Sequence, residues 1–178
     1  MRTLSGGLIV CVTLASSACG YALLGRGTGG VDSSIKRIGV PQFKDHTGRA
    51  GLDQKITAKV IEELSKRGRF TVVQEAEGVD AVVEGEILNY SENPVGFGQG
   101  RETDARAQAS RYEVRLVAKV KYSKVGASEP IWSNDNFSVS DNYDPGDDAG
   151  GLVDSDQALD RLSASFARQL VADMLEAF

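Results

Sequence analysis

Apolar residues dominate from Leu4 to Leu14, with Arg2 the only charge before them and the small residues Ala15, Ser16, Ser17 and Ala18 leading up to Cys19. A positive start, an apolar middle and a small-residue zone are the parts of a secretory signal. The apolar part is too short for a membrane-spanning helix, which takes roughly 20 residues. Residues 1–18 are therefore expected to be cleaved and to play no part in the fold. Residues 19–33 are glycine-rich and short of large apolar groups, a composition that predicts a flexible tether. Residues 34–178 then form a single domain.

Within that domain the period of the pattern names the elements. Ile35 to Val40 is a β-rich run ended by Pro41 and predicts a first strand. Phe43 to Ala50 reads as a polar turn. Leu52, Ile56, Val60 and Leu64 recur every four residues and predict one apolar helix face, with Gly68 as its stop. Phe70 to Val73 is a second short strand. Ala81, Val83, Gly85 and Ile87 then alternate with Val82, Glu84, Glu86 and Leu88. Tyr112, Val114, Leu116, Ala118, Val120 and Tyr122 alternate with Arg111, Glu113, Arg115, Lys119 and Lys121, the pattern of a half-buried strand with one polar face. Ile131 to Val139 is a further strand. Leu159, Leu162, Phe166, Leu170, Met174 and Phe178 line a closing helix, with Asp154 or Ser155 as its expected cap. The sum is an α+β two-layer sandwich, β-α-β-β-β-β-α, with two helices on one face of a mixed sheet.

Charge and cysteine count narrow the function. The chain carries 20 Lys and Arg against 25 Asp and Glu, a net of −5, and signal cleavage removes only Arg2 among them. This balance argues against general nucleic-acid binding, which needs a basic surface. Cys11 leaves with the signal. The remaining cysteine, Cys19, sits where a lipoprotein cleavage motif would place it, although Ser16 stands where Leu is preferred. Cys19 is thus expected to carry acyl chains, each buried methylene contributing about 0.8 kcal/mol of membrane attachment, and no disulfide remains possible.

Candidate chemistry is sparse. His46, the only histidine, lies in the polar turn without the ligands a zinc site needs or a partnered nucleophile. Neither an enzyme activity nor a cofactor is expected. Gly25, Gly27 and Gly30 match G-x-G-x-x-G, but the motif needs a strand before it and a helix after it. Asp141, Asp144, Asp147, Asp148, Asp154 and Asp156 crowd one stretch without EF-hand spacing, which predicts a solvated loop. Ser91 to Ser110 reads as a second long loop, with Phe97 among glycines followed by Arg101, Arg106 and Arg111. Guanidinium pairs well with phosphate, so those three arginines are candidates for contact with a phosphate-bearing amphiphile. A disordered connection with solubilising charges is the plainer alternative.

Several segments in order resemble the LPS-assembly lipoprotein family, LptE. They are Cys19-Gly20-Tyr21, Leu24 to Gly27, Ile35 to Phe43, Glu62-Glu63-Leu64, Arg67 to Phe70, Ala81 to Ile87, Trp132, Tyr143 and Gln157 to Leu162. This resemblance implies a non-catalytic outer-membrane lipoprotein, facing the periplasm, that plugs the β-barrel LptD and helps lipopolysaccharide reach the outer leaflet. It also implies that Arg101 lies where family members present basic residues to lipopolysaccharide. The aspartates before the last helix depart from the pattern, since basic groups are expected there. The opening half also resembles secretion-channel and cell-wall-synthase-activator lipoproteins such as CsgG and LpoB, which share a β-α-β start.

Overall fold

A computed structural model describes residues 34–98, 108–144 and 151–176. Cys19, the tether with its glycine motif, Arg101 and Arg106 lie outside the described residues. The elements run β1 (Arg37–Gly39), β2 (Lys44–Asp45), α1 (Leu52–Lys66), β3 (Thr71–Val73), β4 (Ala81–Gly98), β5 (Gln108–Lys124), β6 (Trp132–Tyr143) and α2 (Gly151–Glu176). The expected α+β class holds: both helices pack with one mixed sheet.

The sheet order is β3-β1-β4-β5-β6, with β2 also paired to β4. β1 lies parallel to both β3 and β4, whereas β4, β5 and β6 form an antiparallel meander. β1 and β2 follow the same side of β4, Ile38 opposite Ala81 and Lys44 opposite Glu86. Pro41 lies between them without a donor for the ladder. In this gap Phe43 turns inward, and its N–H donates to Thr57 Oγ1 at 3.0 Å, while that hydroxyl donates to the Asp53 carbonyl at 2.6 Å. The gap thus leaves Phe43 N–H partnered despite its burial.

The two predicted apolar faces meet over the sheet. Leu52, Ile56, Val60 and Leu64 of α1 are all buried, as are Leu162, Phe166, Leu170 and Met174 of α2 and the inward series of β4 and β5. Each such side chain contributes roughly 1.5–3 kcal/mol on burial. α1 ends where expected: Gly68 takes φ 65°, and its N–H donates to the Ser65 carbonyl at 3.1 Å.

Three boundaries differ from the pattern. Lys44–Asp45 is a strand, not part of a turn, because two residues pairing along β4 leave no periodic signature. β4 and β5 extend far into the stretch read as a loop, through Gly98 and back from Gln108. Beyond Pro94 and Tyr112 the described residues of this hairpin pair only with each other, and backbone pairing by itself imposes no alternation of apolar and polar residues. α2 starts at Gly151, which places Asp154 and Ser155 inside its first turns instead of at the cap.

Asp80 ties the start of β4 to β1, accepting the N–H groups of Lys36 and Arg37 at 2.8 Å each. The Arg37 and then the Lys36 donor hold this carboxyl below the usual aspartate range. With a depressed folded value, its contribution is full above the unfolded pKa and is lost as pH falls through the folded one. Asp80→Ala should therefore lower the denaturation midpoint at neutral pH, and its difference from the unaltered protein should shrink on acidification. A difference that stays constant from neutral to strongly acidic pH would refute that role.

Candidate functional site

Where β6 ends and α2 begins, the strands and the helix frame a cleft of about 350 Å³ lined by Arg111, Asn142, Tyr143, Asp144, Gln157 and Arg161. Tyr143 contributes to its floor, and its ring stacks on that of its cross-strand partner Tyr112 at 5.5 Å between centroids and 18° between planes. Tyr143 is buried, and its hydroxyl donates to Glu92. Burial first, and the Glu92 carboxylate second, raise the Tyr143 phenol above its ordinary value. The hydroxyl stays protonated and the floor stays fixed.

Gln157 and Arg161 reach the cleft from one face of α2 because residues four apart on a helix are neighbours. Arg161 Nε donates to Asp141 Oδ2 at 2.9 Å, and its Nη2 donates to the Asn142 carbonyl at 3.4 Å. Arg111 Nε donates to Asp144 Oδ1 at 2.8 Å, with Nη2 to Oδ2 at 3.4 Å. This fork raises the Arg111 pKa and holds Asp144 below the usual carboxylate range, the hydrogen bond being the main cause of both. Both arginines remain about half exposed, at 57% and 52% of their side-chain surface. Beside the cleft, the Arg49 guanidinium lies 4.5 Å over the Tyr90 ring and 3.9 Å from Asp156.

Of the three candidate arginines, Arg111 is the one within the described residues, and it stands on a strand instead of a loop tip. The aspartates expected in a solvated loop have specific roles: Asp141, Asp144 and Asp156 each face an arginine. Asp147 and Asp148 lie outside the described residues. Among those described, no three His, Cys, Asp or Glu side chains gather as a metal would require, and no helix is long and apolar enough to cross a membrane. His46 sits beside β4, its N–H donating to the Ile87 carbonyl at 3.0 Å and its Nε2 3.9 Å from Glu86. From sequence, Gln157 and Arg161 enter as part of the family-like segment Gln157 to Leu162, neither as a candidate binding residue. Their spacing of four on an amphipathic helix is the available signal, and it names a face but not the strand end beside it.

The face of the sheet turned away from the helices carries many charges. Lys44 meets Glu86 at 3.4 Å, Lys119 meets Asp135 at 2.9 Å and Arg115 meets Glu113 at 3.2 Å. A hollow of about 220 Å³ there is lined by Pro41, Gln42, Lys44, Glu84, Gly85, Glu86, Lys119 and Lys121.

The fold is similar to that of a DUF330-family protein from Xanthomonas campestris, with a TM-score of 0.56 at 10% identity over 80% of this chain and 85% of that one. A hypothetical protein from Chlamydia trachomatis gives 0.52 at 10% identity over 81% and 99%. The PelC dodecamer from Paraburkholderia phytofirmans gives 0.50 at 11% identity over 80% and 89%. At such identities the likeness is one of fold. No curated protein matches the chain in sequence. The lipopolysaccharide-assembly family model, LptE, matches residues 35–174, a span that takes in every described strand, α1 and nearly all of α2. The chain therefore belongs to the LptE lipopolysaccharide-assembly family.

Proposed function

We propose that this protein is a non-catalytic outer-membrane lipoprotein, attached through acyl chains on Cys19, that sits in an LptD-like β-barrel and helps deliver lipopolysaccharide to the outer leaflet. The observation that carries the reading is the family match over residues 35–174. The outward sheet face supports it: three ion pairs lie on it above a continuous core, and a barrel lumen is polar. Such a polar surface suits a wet, charged wall, where paired charges lose little by contact. Arg101, Arg106 and Arg111 are the residues assigned to lipopolysaccharide, with Arg111 presented beside the β6–α2 cleft.

Affinity purification from outer membranes is expected to recover a large β-barrel protein in roughly equal amount. A homo-oligomeric ring or a peptidoglycan synthase in its place would overturn the proposal. Cys19→Ala should abolish incorporation of labelled palmitate. Palmitate still incorporated by the variant would show that the acylated residue lies elsewhere.

A further inference from the structure

We infer that the β6–α2 cleft is a phosphate site guarded by its own carboxylates, with Asp144 and Asp141 occupying the guanidinium edges of Arg111 and Arg161 that a phosphorylated glycolipid takes over. This inference rests on the reading that Arg111 meets lipopolysaccharide, and it adds Arg161 and a regulatory contact to that site.

Asp144 covers Nε and one Nη of Arg111. Those two donors form an edge that accepts a carboxylate or a phosphate in the same bidentate manner. The corresponding edge of Arg161 is taken by Asp141 and by the Asn142 carbonyl. On both arginines the Nε–Nη2 edge is thus already taken, although both line one cleft. The two pairs are exposed, and exposed pairs contribute little, so an anion carrying more charge and more acceptor oxygens can displace them. Asp144 is well placed to leave: it lies one residue past Tyr143, the last ladder partner of β5, whereas stacking and burial pin Tyr143 itself. The carboxylates then set a threshold. A ligand with phosphate groups opens the forks, whereas a neutral glycolipid leaves them closed.

The test uses the full-length protein in detergent, titrated with lipopolysaccharide, with chemically dephosphorylated lipopolysaccharide and with inorganic phosphate. Asp144→Asn exchanges an exposed carboxylate for an amide of the same shape. It should tighten lipopolysaccharide binding by about two- to fivefold, the range an exposed ion pair can supply, with no gain for the dephosphorylated form. Asp135→Asn makes the same charge change beside Lys119, outside the cleft, and should give no gain. An equal gain from Asp135→Asn, a gain that survives dephosphorylation, or no gain from Asp144→Asn overturns the inference. Tighter binding of inorganic phosphate alone overturns the glycolipid as its ligand. Arg111→Gln and Arg161→Gln separate the two levels. If they weaken binding while Asp144→Asn has no effect, only the guarding role falls; if neither weakens it, the assignment of Arg111 to lipopolysaccharide falls as well.

Discussion

Phe43→Ala should destabilise the domain by about 3–5 kcal/mol, and Gly85→Ala by about 1–3 kcal/mol, yet the two losses should not add. Phe43 is 1% exposed, and its ring lies directly over Gly85, where a Cβ would run into the ring carbons. Gly85 belongs to the inward-facing series of β4, between Val83 and Ile87. Its missing side chain is the space that the ring fills. Truncating the ring leaves a cavity, and adding a methyl group beneath it forces the ring upward into α1. In the double variant the methyl group occupies part of the vacated space, so Gly85→Ala should cost far less in the Phe43→Ala background. Denaturant midpoints of the four proteins give the coupling directly. Additivity within about 0.5 kcal/mol would mean that the ring and the glycine are independent, and the account of the β1–β2 gap would fail.

The second large effect is expected at Phe166. Its side chain is fully buried, and its ring meets Phe137 edge to face at 5.1 Å and 79°, while Phe137 meets Trp132 at 6.3 Å and 76°. This aromatic chain fastens α2 to β6, the strand at one edge of the sheet. Phe166→Ala should cost about 3–5 kcal/mol, a large share of the 5–15 kcal/mol typical of a domain. The chain has one tryptophan, so the emission of Trp132 reports the same packing without interference and should shift as the edge loosens. Phe166→Leu keeps most of the apolar area and should lose less. A Phe166→Ala protein within about 1 kcal/mol of the original would refute this fastening role.

These predictions also show which parts of the structure were legible beforehand. The faces of α1, α2, β4 and β5 were readable because each packs one side against a layer, and a buried side imposes a period of 3.6 or 2 on the residues that form it. The strand Lys44–Asp45, the outer half of the β4–β5 hairpin and the start of α2 were not. They rest on backbone pairing or lie at element ends, where no buried face sorts apolar from polar residues. Thr57 was equally silent: a threonine on the buried face of a helix reads as an irregularity until the Phe43 N–H is found bonded to it.

The candidate site divides in the same way. Arg111 was identifiable by type and by its neighbours, and the aspartates by their density, since chemistry is written in residue identity. Which arginine meets which aspartate was not readable, because Arg111 and Asp144 are 33 positions apart and Arg161 and Asp141 are 20 apart. Those pairings depend on the register of β5 against β6 and on the path of α2 back across the strand ends. By itself, the sequence determined the α+β class, the two amphipathic helices, the inward and outward faces of the sheet and the family resemblance, all of which follow from local period and residue type. Only the tertiary structure decided the sheet order, the fit of Phe43 over Gly85 and the pairing of the cleft's arginines with its own carboxylates. Each of these requires two distant segments to be brought within a few ångströms, and local spacing carries no information about that distance.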